Sequence, residues 1–520
     1  MLAKDRYLRL YDLHSWMGIL FGFFIYVVAF TGTVALFYEE IKPWEDPSKR
    51  LHYFKERVVI QGKLEAFIDE HKSKGELVIN RFIFPTESAP YYRIRSSVSD
   101  ENDKNESIEE KWHSSTLELL PDRKYGLSLW LRNIHRNLML PSKIGGALVG
   151  ISGVLMLVLT ITGILSHGRI VTDFFKLRFK RSKRLKWQDS HKVLGIFGLP
   201  FTIMISFTGA LLGAVAILAP IVAIIAFQGD TEMLKAEMTI KPSEKAGVSA
   251  LMISMDSIQN RVHPTSGVLP KHVVIRNYGD KNAEFRVVYE AQSGLKHINS
   301  ILIDGVTGKV ITPQKSIHSD TTANQIIDAI VPLHYATFGG ISLKWVYAVL
   351  GIALCLMTAT GTMLWVEKRI NSNKSNRNSN FYKRVSQANI GICMGFPIAT
   401  AAILYHDKIY YGPEIDRLYW TGVTYFTAAI GIFIISFFLR NGYCAVKIFS
   451  RLLGIMLLGA PLLNIITTGS TFWPYKLSTG ELQSYLVDIS ILVIGIIVLF
   501  FGFKLKSGLD TKNDSNQSAV

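Results

Sequence analysis

The chain has 520 residues, is 49% hydrophobic and carries a formal net charge of +16, with its apolar residues gathered in long blocks. Composition of this kind excludes an ordinary soluble domain and places the chain among membrane proteins. None of the three cysteines, Cys355, Cys393 and Cys444, lies in a long polar segment, and no Cys-x-x-Cys-His or iron–sulfur spacing occurs. A disulfide framework, covalently attached haem and Fe–S chemistry are thereby excluded.

A helix needs about 20 apolar residues to cross a hydrocarbon core about 30 Å thick. Eight blocks reach or approach that length, at 15–38, 143–166, 193–217, 341–366, 386–404, 418–440, 448–468 and 483–503. The first follows Lys4, Arg6 and Arg9, but it is long enough to span and no small-x-small cleavage site follows, so it is expected to stay attached. The third runs apolar to about Phe227, with a break or an interfacial end expected at Pro220.

Short basic segments fall on one face: the N-terminus, the run from Lys176 to Lys186, the stretch from Lys368 to Arg384, the turn from Arg440 to Arg451 and the tail from Lys504. Retention of Lys and Arg on the cytoplasmic side puts both termini in the cytoplasm of a bacterial inner membrane. Segments 39–134 and 228–333 and the short loops 405–417 and 469–482 then lie outside. Because the basic residues sit beside spans, topology accounts for the charge and no nucleic-acid partner is expected.

The expected fold is an α-helical polytopic membrane protein of about eight helices with two small α+β exported domains. Its parts are the N-terminus and first span (1–38), a first exported segment (39–134), spans two and three with a basic cytoplasmic loop (135–227) and a second exported segment (228–333). The fourth span (334–370), a linker (371–385), a C-terminal four-helix membrane module (386–505) and a cytoplasmic tail (506–520) complete it. Strand-like runs occur at 80–84, 91–95, 272–276 and 284–289, with a strand–turn–strand pattern over 301–311. The charged tract 99–111 reads as a loop.

The first four spans repeat in pairs. Span one opens with His14 and Gly18 and closes with Thr31 and Gly32; span three opens with His191 and Gly195 and closes with Thr208 and Gly209. Span two is preceded by His135 and closes with Thr162 and Gly163, while span four is preceded by His334 and closes with Thr360 and Gly361. Both halves run in the same direction, so the duplication is parallel. Simple helix packing is the expected role of the Thr-Gly pairs.

Topology sets His14 and His191 at the cytoplasmic ends of their spans and His135 and His334 at the outer ends. A lone histidine there is ordinarily an interfacial residue, but packing has no reason to select imidazole in every copy. Two histidines on separate helices suit axial ligation of one haem iron, and two haems would carry an electron across a barrier too wide for one. Zinc lacks its usual motif, while copper stays open. His167 is a rival ligand for the inner pair. His52, His71, His113, His263, His272, His297 and His318 read as ordinary surface residues of the exported segments, and His406, in an outer loop, is a weak candidate for substrate contact. Trp16, Trp130, Trp345 and Trp365 read first as interfacial anchors.

The His-x-x-x-Gly openings, the Thr-Gly closings, the run from Leu333 to Gly340 and the run from Gly361 to Trp365 resemble the PepSY-associated transmembrane family, which includes siderophore reductases. The resemblance covers about residues 8–370. It implies two b-type haems ligated by His14, His135, His191 and His334, reduction of a ferric siderophore on the periplasmic side with release of Fe(II), and PepSY-like exported domains, with Asp304 to Gly308 as the best match. The four additional helices depart from the simpler members, carry no histidine in the expected spans and suit a quinone, a partner subunit or no ligand. No Rossmann fingerprint or flavin domain appears, so a separate donor, a quinol or a cytoplasmic reductase, would supply electrons. The competing readings are a siderophore or metal transporter, which calls for buried charges in mid-span, and a regulatory or scaffold protein without haem.

Overall fold

The computed structural model describes residues 4–72, 76–87, 89–99, 105–121, 123, 126–166, 182–226, 243–262, 267–289, 299–311, 322–370, 379–410, 412–439, 441–469 and 478–505. Helix α1 (Lys4–Ala35) leads into a short α2 (Tyr38–Glu45), then α3 (Gln61–Lys72), strands β1 (Glu76–Ile83), β2 (Tyr91–Ser99) and β3 (Asn105–His113), and α4 (Leu127–Asn137). The second span is α5 (Ser142–Leu165), and the third is divided into α6 (Lys183–Phe197) and α7 (Leu199–Ala226). The second exported segment holds α8 (Met255–Gln259), β4 (Pro270–Arg276), β5 (Glu284–Tyr289) and β6 (Asn299–Asp304), followed by α9 (Thr322–Tyr335) and α10 (Gly340–Ile370). The C-terminal module comprises α11 (Ser379–Ile409), α12 (Glu414–Phe438), α13 (Gly442–Thr468) and α14 (Thr479–Lys504).

Among the described residues, seven helices are long and apolar enough to cross a membrane, and the bent pair α6–α7 brings the number to eight if it is one span. The bend of 67° lies at Gly198, so the expected break at Pro220 is corrected: the α7 backbone passes Pro220 and continues to Ala226. The cause is local. Pro200 has no amide hydrogen and a fixed φ, which suit the first turn of a helix, and α7 starts there, with the carbonyl of Gly198 accepting from Thr202 N at 2.8 Å.

The two segments expected to be exported share one six-stranded antiparallel sheet in the order β3-β2-β1-β4-β5-β6. The joint is β1 against β4, with Arg81 opposite Val274, Phe82 opposite Val273 and Ile83 opposite His272. Both segments must therefore project from the same side of the bundle, as a parallel duplication requires. The helices that precede the two meanders cap each other: Asp256 accepts from Ile60 N at 2.8 Å and Gln61 N at 3.2 Å, and Gln61 Oε1 accepts from Met255 N at 2.8 Å. Helix starts need such acceptors, because their first amides lack intrahelical partners. Phe82, Tyr92, Trp112, Phe285 and Val287 are wholly buried under this sheet.

The tract expected to be a loop forms β3 from Asn105 onward. Its Glu109 is matched across the ladder, meeting Arg95 at 2.5 Å and Arg93 at 3.5 Å, while Trp112 points into the core. Beyond β6, Asp304 accepts from the amides of Val306 and Thr307, and Gly308 has φ +68°, which closes the expected turn before the Ile303–Val310 bridge.

Emptying the centre of this core tests the shared sheet. Phe82→Ala is expected to cost about 3–5 kcal/mol, seen as faster limited proteolysis of both exported segments together while the membrane helices stay protected.

Candidate functional site

Each of the four repeated histidines rests on a glycine of another span. A Cβ added at Gly163 would lie 3.0 Å from His14 Cε1, at Gly32 2.7 Å from His135 Cε1, at Gly361 2.9 Å from His191 Cε1 and at Gly209 3.1 Å from His334 Cε1. Only glycine admits the ring so closely. The Thr-Gly closings are thus packing elements, as expected, but what they pack is imidazole.

The threonine before each glycine, Thr31, Thr162, Thr208 and Thr360, is buried and its hydroxyl donates back to its own helix. Nδ1 of His14 is 2.9 Å from Leu159 O, that of His135 3.1 Å from Val28 O, and that of His191 2.8 Å from Met357 O. Each carbonyl belongs to the residue four before the seating glycine. His334 differs: its Nδ1 is 3.0 Å from Thr208 Oγ1, which already donates to Met204 O at 2.8 Å and so serves as acceptor. Tying Nδ1–H to a backbone or hydroxyl oxygen fixes the tautomer and leaves the Nε2 lone pair for a ligand-binding role.

The four rings form two pairs. His14 of α1 and His191 of α6 have ring centroids 6.2 Å apart with planes at 63°; His135 of α4 and His334 of α9 are also 6.2 Å apart, at 17°. One metal ion bonded to a nitrogen of each ring at about 2.0–2.1 Å would call for ring centres no more than about 6.2–6.4 Å apart. Both pairs meet that spacing. Among the described residues no group of three or more His, Cys, Asp or Glu is arranged to hold a metal ion. Two imidazoles between apolar helices suit the iron of a planar macrocycle, which brings its own four donors. His167, the rival inner ligand, lies outside the described residues.

His263, His297 and His318 also lie outside them. His406 is in the last turn of α11, not in a loop; its ring packs on Tyr410 and its Nδ1 is 3.3 Å from Thr424 Oγ1. Trp16 and Trp345 are exposed, as membrane anchors are, whereas Trp365 is buried and Trp130 is wholly buried against Tyr425, 4.4 Å between ring centres. Those two are core residues.

A second polar cluster, unforeseen, ties the C-terminal module to α2. Asp488 of α14 accepts from Trp44 Nε1 at 2.6 Å and from Asn464 Nδ2 at 2.9 Å. Lys408 donates to Trp44 O at 2.7 Å with its ammonium 3.9 Å from the Trp44 ring centre, and Asp407 lies 3.7 Å from Arg417 and 3.4 Å from Arg123. Glu45 accepts from Ser128 N and Oγ at 2.6 and 2.7 Å, which joins α2 to α4 and hence to His135. The available signal was Asp488, a single acid within the eighth apolar block, since an ionisable residue in a span normally has a buried partner.

Helices long and apolar enough to cross a bilayer, two histidine pairs and one six-stranded sheet define a multi-pass membrane protein of duplicated design, in contact with lipid. The model of the PepSY-associated TM region matches residues 11–368, and the chain belongs to that family. An uncharacterised protein of Pseudomonas aeruginosa is 26% identical over 288 residues, which is 53% of this chain and 71% of that protein.

Asp488→Ala would strand the Trp44 and Asn464 donors, at about 1–3 kcal/mol for buried unsatisfied groups. A lower melting temperature in detergent is expected, with Asp488→Asn less affected because its amide oxygen still accepts from Trp44.

Proposed function

We propose that this protein is a dihaem b-type electron-transfer protein of the bacterial inner membrane, with both termini cytoplasmic, which reduces ferric siderophores at the periplasmic face and releases Fe(II). The observation that carries the reading is the matched pair of imidazole pairs, each 6.2 Å between centroids, with every Nδ1 committed to an oxygen. A b-type haem held by two imidazoles takes up and releases single electrons. His14 and His191 would hold one group near the cytoplasmic leaflet, and His135 and His334 the other near the outer leaflet. The seating glycines fix the ring positions, the carbonyls of Leu159, Val28 and Met357 and the hydroxyl of Thr208 fix the tautomers, and the surrounding apolar helices exclude water. Reduction of a chelated ferric ion transfers one electron to iron and oxidises a separate donor, a quinol or a cytoplasmic reductase. No nucleophile or general base is needed.

The test is spectroscopic. Protein purified in detergent from haem-replete cells is expected to show sharp reduced b-type bands after dithionite and two haems per chain by pyridine haemochrome. His14→Ala or His191→Ala should remove the inner group, and His135→Ala or His334→Ala the outer. A colourless protein would overturn the reading and favour the transporter or scaffold alternatives.

The seating glycines give an independent check. Gly32→Ala should reduce occupancy of the outer site and Gly361→Ala that of the inner, each leaving the other at full occupancy, because each displaces one imidazole by a few tenths of an ångström or more.

A further inference from the structure

The face of the exported sheet turned away from its core is crossed by a row of arginines. Arg81 on β1 stands opposite Arg95 on β2 and opposite Val274 on β4, and Val274 stands opposite Arg286 on β5. Like charges set directly across a ladder are destabilising unless something neutralises them. Glu109 neutralises Arg95, at 2.5 Å, and Glu284 lies 3.9 Å from Arg276. Arg81 meets no acidic partner among the described residues; the charges that act on it are those of Arg95 and Arg93. A cavity of about 380 Å³ opens here, lined by Asn80, Arg81, Arg95, Val274, Ile275 and Arg276.

We infer that this arginine cavity binds a multiply charged oxyanion, and that its occupant is a carboxylate-bearing ferric chelate, the substrate of the reaction proposed above. Arg81 presents a forked set of N–H donors, the geometry that recognises carboxylates bidentately, and Arg95 and Arg276, each beside one carboxylate, keep the surroundings net positive. Phosphate headgroups of anionic lipid share this chemistry, but acyl chains need an apolar path, and the lining offers few apolar residues: Ile275 is 3% exposed and belongs to the core, which leaves Val274.

The position also serves the proposed reaction. Arg93, one pleat along the same face, stands close enough to Glu39 and Lys42 of α2 to act on their ionisation. Tyr38 at the head of α2 lies under Arg132 of α4 and within electrostatic reach of Tyr335, whose ring is 5.6 Å from that of His334. Helix α2 is thus within electrostatic reach both of Arg93 on the arginine face and of Tyr335 beside His334.

Because the inference borrows its substrate class from the proposed function, its test avoids electron transfer. Gallium(III) citrate, which is redox-inert, would be titrated calorimetrically into the full chain in phosphatidylcholine nanodiscs, and again in nanodiscs containing phosphatidylglycerol. Saturable binding is expected for the native chain, weakened tenfold or more in R81Q/R95Q. R81Q alone should weaken binding without lowering the melting temperature, since it relieves a like-charge pair. Absence of binding to the native chain, or equal binding by the variants, would overturn the inference. So would loss of binding in phosphatidylglycerol together with co-purification of that lipid by the native chain alone, which would assign the cavity to headgroups. A dihaem spectrum without citrate binding would sink only this inference, and citrate binding by a colourless chain would sink only the reductase.

Discussion

An imidazole laid against a helix where no side chain intervenes is the contact around which the membrane part is built. Glycine supplies the flat place, the preceding threonine bends its hydroxyl back onto the helix, and the carbonyl one turn earlier receives the ring N–H in three of four cases. The arrangement is reciprocal, since span one receives the histidine that precedes span two, and span two receives the histidine of span one. Spans three and four repeat the exchange. Helix spacing within each half is thus set by the thickness of a ring, and the two halves meet where their rings face each other at 6.2 Å.

The additional four helices attach at the outer end of this arrangement. A buried group is tolerated in a low-dielectric interior only when its hydrogen bonds are satisfied, and the residues around Trp44 meet this by borrowing from several elements: Asp488 from α14, Asn464 from α13, Lys408 from α11 and Ser128 from α4. Short helix α2 is the common member. It leaves the first span, carries Trp44 and Glu45 into the C-terminal module and α4, and lies beneath the arginine face of the sheet. Shifts of that module would be felt at α4, where His135 stands.

Much of this was readable in the chain. Long apolar blocks announce spans because lipid leaves a helix no other way to satisfy its backbone, and the repeated His and Thr-Gly intervals announce which residues meet, because equal spacing in two copies survives any uncertainty about helix ends. What escaped was non-local. Tract 99–111 looked like a loop because Glu109 finds its partner, Arg95, on another strand. The bend at Gly198 was hidden by an unbroken apolar run, in which Pro200, not Pro220, starts the new helix. Trp130 looked like an anchor, since its burial depends on Tyr425, far along the chain. The union of two exported segments into one sheet could not be read from either alone, for β1 and β4 are separated by two spans.

That union has a mechanical consequence. Membrane proteins that move cargo by alternating access rock one repeat against the other as rigid bodies, and the two repeats must then be free to slide on both sides of the bilayer. Here a ladder of backbone hydrogen bonds runs from one repeat into the other through Phe82 and Val273, and the helix starts on either side are capped from across the same seam. Rocking would tear a continuous sheet through its buried centre. A protein stitched in this way holds its two repeats in one fixed register on that side of the bundle.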